Sequence, residues 1–174
     1  MSWSDSNSFE FSSLVQQNIF MWWQWLEKNR GERAQFRRCR NLTEVVFMSS
    51  YHKFRESLVS LGYNNEEGLA LIAVLIAYFK FNEKFNVKDL SGKAFGEIMA
   101  SKVKPDRPLV SSLRFCQLLK KETREALLSE IRRILAVVGK NPECLMSCLA
   151  GAYAWSDEAR KAWAYDYYAS PKED

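Results

Sequence analysis

The chain has 174 residues, of which 47% are hydrophobic and 26% charged, and its formal net charge is +4. These values fit a globular protein with a sizeable core and exclude both a disordered chain and a histone-like polycation. With 7 glycines and 4 prolines, a many-turned β fold is disfavoured and helices joined by short loops are favoured.

Residues 1–10 read as a flexible, serine-rich leader with neither the basic nor the apolar region of a signal peptide. The first helix is predicted from Phe11 to Asn29. Val15, Ile19, Trp22 and Leu26 recur at steps of four, three and four and mark a core face. Trp22, Trp23 and Trp25 suit packing better than base stacking, because Trp22 lies on that face. Gly31 supplies a C-terminal stop.

The stretch Gly31–Arg40 carries Arg33, Arg37, Arg38 and Arg40 against one acid, Glu32, with Lys28 and Arg30 just before it. Arg30, Arg33, Arg37 and Arg40 are spaced three, four and three apart, which on one helix makes a stripe of guanidinium groups. Phosphate suits such a stripe, since the rigid fork of arginine matches phosphate oxygens. A solvated face with local acid partners is the alternative. Within the stripe, Arg33, Arg37 and Arg40 are the phosphate candidates. Arg38 lies off the stripe and is expected to be structural.

Asn41 or Thr43 caps the next helix. Tyr51–Leu61 is amphipathic and ends at Gly62. Asn64 or Asn65 caps a helix from Glu66 to Phe81, whose 11-residue apolar run Leu69–Phe79 is too short to span a bilayer and reads as buried on all sides. The polar segment Asn82–Asp89 divides an N-terminal helical half, 11–85, from a C-terminal half, 86–174. Leu90–Ser101 is predicted as a helix and Lys102–Pro108 as a basic loop, with Pro105 and Pro108 excluding a continuous helix. Leu109–Lys120 and Glu122–Val138 form a hairpin. The first of the pair has Leu109, Leu113, Cys116 and Leu119 on its inner face. Asn141-Pro142-Glu143 starts a helix that reaches Trp155. Ser156-Asp157-Glu158 opens the last one, to Tyr168. The result is an all-α bundle of eight or nine helices.

Basic residues gather a second time at Lys102, Lys104, Arg107, Arg114, Lys120 and Lys121. Segregated charge points to a polyanion surface. Catalytic chemistry is absent. His52 is the single histidine and matches no nucleophile–base set. Cys144 and Cys148 lack two further ligands for zinc. Gly92-Lys93 lacks the upstream glycine of a phosphate loop. The acid pairs Glu66-Glu67 and Asp157-Glu158 sit at helix starts, where the dipole favours them. No enzyme activity, cofactor or metal is expected. The four cysteines read as reduced thiols of a cytoplasmic protein.

Taken together, three blocks resemble the CasB family, the small subunit of type I-E CRISPR Cascade complexes. The first is the tryptophan-rich helix followed by Gly31, Ala34, Phe36, Arg37 and Arg38. The second is Leu90-Ser-Gly-Lys-Ala94. The third is Ser112-Leu-Arg-Phe-Cys-Gln-Leu-Leu119 with Glu130-Ile-Arg-Arg-Ile134. The aromatic segment Trp155 to Tyr168 is also similar to the family's tail, so the resemblance spans roughly residues 15–168. Phe36, where the family often has leucine, and the leader depart from the pattern.

The resemblance implies an all-helical, non-catalytic subunit, two copies of which lie head to tail beside other Cascade subunits, with no membrane association. It implies contact with the crRNA, the target strand and the displaced non-target strand without sequence readout, so that the R-loop is stabilised. It places Arg37, Arg38, Arg114, Arg132 and Arg133 at family motif positions. Arg132 and Arg133 are adjacent and about 100° apart on a helix, so they point differently. Charge alone nominates Arg30, Arg33, Arg40, Lys102, Lys104, Arg107, Lys120 and Lys121, with the 102–133 region as the second wall of a groove. The competing reading is a helical protein–protein adaptor whose basic faces meet an acidic partner.

Overall fold

A computed structural model describes residues 10–169. Apart from Glu10, the leader expected over 1–10 lies outside the described residues, as does the end of the tail. Among the described residues the fold is all-α but for one small ribbon. Its elements are α1 (Ser13–Lys28), α2 (Arg30–Arg38), α3 (Leu42–Val46), α4 (Ser49–Val59), α5 (Glu66–Ile76), α6 (Phe95–Ala100), β1 (Lys102–Lys104), β2 (Arg107–Pro108), α7 (Ser112–Leu119), α8 (Arg124–Val138), α9 (Leu145–Tyr153) and α10 (Asp157–Tyr168). Short 3-10 turns, Lys88–Ser91 and Pro142–Cys144, precede α6 and α9.

Helix α5 is the hub. Every residue from Gly68 to Ile76 is buried, as an apolar surface without a polar face requires. It packs against α1, α2, α3 and α4 and against α8 and α9. The buried side chains of both halves thereby join in one cluster running from Phe11 to Tyr167. Its N-terminus is capped by Asn65, whose side chain accepts from the Gly68 N–H at 2.8 Å. Asn41 and Ser156 cap α3 and α10 in the same way. Trp22 and Trp23 are buried, and Trp25 stacks on Trp22 at 5.1 Å.

Four expectations are corrected. Gly31 does not stop α1. The break falls at Asn29 (φ −126°, ψ 65°), and Gly31 lies inside α2. Asn29 ends α1 because its own side chain and N–H turn back to the carbonyls of Trp25 and Leu26. The expected helix 90–101 is divided, since the Lys93 N–H donates to the Glu143 carbonyl and the Phe95 N–H to Ser147 Oγ. The basic loop 102–108 contains an antiparallel ribbon, β1 with β2. Helix α7 buries Phe115 and Leu118 instead of Leu113, which is 71% exposed. Phe115 wins that face because it stacks on Tyr167 of α10 at 4.1 Å.

Candidate nucleic-acid interface

The last carbonyls of an α-helix have no partner within it and form the negative end of its dipole. At the end of α5 they are met by side chains from the first two helices. Trp22 Nε1 donates to Ala73 O at 3.3 Å and Trp23 Nε1 to Phe79 O at 3.0 Å. Arg33 Nε donates to Ala77 O at 2.9 Å, with Nη2 on Phe79 O at 3.5 Å. Burial, and then the neighbouring Arg37, push the Arg33 guanidinium below its ordinary pKa, with Glu27 opposing. Arg33, expected with Arg37 and Arg40 as a phosphate candidate, is therefore half-buried and committed to a helix end. Arg124 of α8 does the same for α9, donating to Tyr153 O at 2.6 and 3.2 Å.

The other arginines of α2 fare differently. Arg37 is exposed and lies 5.0 Å over the Tyr78 ring, while Tyr78 Oη donates to the Arg37 carbonyl at 3.0 Å. Arg30 is exposed and pairs with Glu27 at 3.1 Å. Arg40 lies beyond the helix. Its Nε meets Glu44 at 3.1 Å, and its backbone N–H, donating to the same carboxylate, is the main reason that Glu44 titrates below the usual range. Arg38, expected to be structural, is exposed, and its side chain has no ion pair or hydrogen bond among the described residues.

Beside α2 lies a cleft of about 350 Å³, lined by Arg30, Arg33, Arg37 and Lys80 around Glu27 and Phe81. It adjoins a larger hollow of about 560 Å³, where Lys80 and Lys140 face Glu27, Glu83 and Glu143. Glu27, Lys80 and Phe81 border both. The first hollow is strongly basic, and the second is mixed. Lys80 and Lys140 were missed by sequence reasoning. Each is a lone lysine after an apolar run, and no local signal marks it. They meet because the Lys80 N–H donates to the Gly139 carbonyl at 2.8 Å, joining the end of α5 to the end of α8.

The second basic segment does not line this cleft. Lys102, Lys104 and Arg107 are exposed on the ribbon, which is tied to α6 by the bonds Leu109 N–H to Ser101 O and Val110 N–H to Met99 O. Arg114 and Lys120 are exposed on and after α7, and Lys121 is half-buried. Its carbonyl accepts from Trp155 Nε1 at 2.7 Å. Arg133 is exposed, whereas Arg132 is partly buried, with Nε and Nη2 enclosed and without partners. Arg132 acts electrostatically on Tyr78, Cys39 and Glu44. The adjacent pair thus diverges as helix geometry demands, and Arg132 reaches across towards the C-terminal end of α2.

Among the described residues no group of three His, Cys, Asp or Glu side chains is placed to hold a metal. No described helix is long and apolar enough to cross a membrane. His52 is exposed, with Nε2 2.8 Å from the Val46 carbonyl.

The chain was compared with protein families, curated proteins and solved structures. A family model described as CRISPR-associated protein Cse2 matches residues 32–168. No curated protein and no solved structure matches the chain.

Proposed function

This chain belongs to the CRISPR-associated Cse2 family, the CasB family of type I-E Cascade small subunits, and on that premise we propose that it binds nucleic acid without reading sequence. Family membership makes it a subunit of a CRISPR Cascade complex. Within that complex its task is to hold the crRNA–target backbone and the displaced DNA strand, tipping a nearly balanced strand exchange towards the R-loop. It does so without catalysis and beside a second copy of itself. The observation that carries this reading is the basic cleft of Arg30, Arg37 and Lys80, with Arg38 exposed on the same helix. Arginine and lysine on a rigid helical frame suit backbone phosphates.

The ribbon residues Lys102, Lys104 and Arg107, with Arg114, Lys120 and Arg133, form separate candidate contacts. They suit a second stretch of the same nucleic acid or a different strand. Lys121 and Arg132 are weaker candidates because both are partly buried. Arg33 and Arg40 contribute charge to the region while already engaged by α5 and Glu44.

A salt titration with single-stranded DNA tests the proposal. Log affinity is expected to fall with log salt by about 0.7 per phosphate contacted. Reversing Arg37 and Arg38 together (R37E/R38E) should weaken binding equally for unrelated sequences. A flat salt response, or a loss confined to one sequence, refutes it.

The adaptor reading draws on exposed apolar side chains, Phe47 at 77% and Leu113 at 71%. It predicts partners that persist fully after nuclease treatment of a pull-down.

A further inference from the structure

The cleft has an aromatic floor that charge reasoning does not use. Phe81 is partly buried and borders both hollows. Its ring meets that of Trp23 at 4.7 Å between centroids, tilted by 57°. Trp23 is itself fully buried, with its indole N–H bonded to Phe79 O. The position of Phe81 is therefore fixed by the core, and the part of it left open faces the cleft. The charge changes across it. On the α2 side four cations surround one carboxylate, which suits phosphate. On the far side Asn82, Phe85 and Pro142 stand among three carboxylates, Glu27, Glu83 and Glu143, that outnumber Lys80 and Lys140. That side repels a phosphate chain and offers apolar and amide contacts to a neutral ring.

We propose that this cleft takes a single strand with one unpaired base stacked on Phe81, the flanking phosphates lying on Arg37 and Lys80. The inference rests on the nucleic-acid reading above and narrows its ligand from any polyanion to a strand with a free base. An aromatic face accepts every base, so stacking adds affinity without adding sequence preference. A regular duplex has no free base to offer and would engage only the cations.

The test compares a labelled single-stranded oligonucleotide with the same backbone made abasic, by anisotropy, for the full chain and for Phe81→Leu and Phe81→Ala. The wild-type protein is expected to bind the base-bearing strand about tenfold more tightly than the abasic one. Phe81→Leu, which keeps contact with Trp23, should remove most of that ratio and leave the salt slope intact. Equal wild-type binding of the two strands, or a ratio that survives in Phe81→Leu, overturns the stacking proposal while the salt-dependent binding stands. Absence of salt-dependent binding to either strand overturns the broader reading and this inference with it. Because Phe81→Leu and the abasic strand decide the matter, a failure of Phe81→Ala to fold does not weaken the test.

Discussion

The backbone N–H of Lys80 donates to the carbonyl of Gly139 at 2.8 Å. Through this bond the ends of α5 and α8 touch, and Lys80 and Lys140, sixty residues apart, border one hollow. A Cβ on Gly139 would collide with the Tyr78 and Leu135 carbonyls. These are backbone atoms that cannot move aside cheaply. Gly139→Ala is therefore expected to cost about 1–3 kcal/mol, the usual range for overpacking. It should also weaken nucleic-acid binding beyond what the stability loss explains. Chemical denaturation and anisotropy together check this, and unchanged binding by the folded variant would count against the coupling.

Arg33 presents a different trade. Its guanidinium satisfies carbonyls at the end of α5, and a hydrogen bond from a charged donor contributes about 1.5–3 kcal/mol. The site is only half-buried, so solvent reduces that figure. Arg33→Gln is expected to lower stability by about 1 kcal/mol. Arg38→Gln, at an exposed position, should leave the unfolding midpoint nearly unchanged. The two midpoints, measured side by side, separate the structural arginine from the surface one.

Glu27 sits in the basic cleft, 3.1 Å from Arg30 and 3.7 Å from Arg33. A phosphate entering there must displace or face this carboxylate. Glu27→Gln is therefore expected to tighten single-strand binding a few-fold at low salt, in line with the value of an exposed ion pair. The gain should shrink as salt is added. Anisotropy at two ionic strengths is the measurement, and weaker binding by the variant would contradict the placement of the strand.

Gly31 lies inside α2 with φ outside the left-handed range, and nothing stands within 4 Å of an added Cβ. Alanine there loses less backbone entropy on folding. Gly31→Ala is expected to stabilise the protein by about 0.5 kcal/mol, read as a higher denaturant midpoint at unchanged slope.

Acid sensitivity follows from Glu66. Hydrogen bonding from Arg55, with Nε at 2.8 Å, holds this carboxyl below its ordinary value. A folded pKa below the unfolded one means that the stabilisation is complete above the usual carboxylate range. It is lost as the pH falls through the lowered folded value. Between about pH 6 and about pH 3, Glu66→Gln should lose stability less steeply than the wild type. Parallel curves would show that the pair contributes nothing.

The sequence by itself determined the helical class, the cap segments of α3 (Asn41 or Thr43), α5 (Asn64 or Asn65) and α10 (Ser156), the buried tryptophan face of α1 and the all-round burial of α5. Each is a local property: a short polar side chain meets an N–H three residues on, and apolar periodicity selects a face. The family was legible too, through the order of blocks along the chain. Tertiary structure decided which cations are available. The stripe spacing placed Arg33 among the phosphate candidates and left Arg38 to structure. The fold engages Arg33 and leaves Arg38 exposed, because the carbonyls that claim Arg33 lie 44 and 46 residues away. Likewise Leu113 lost the inner face of α7 to Phe115, whose partner Tyr167 lies on α10. Lys80, Lys140 and Phe81 came to border one hollow only when the ends of α5 and α8 met. A helix face is written in neighbouring residues, but the direction of a long charged side chain is set by whichever distant group the fold brings within hydrogen-bond reach.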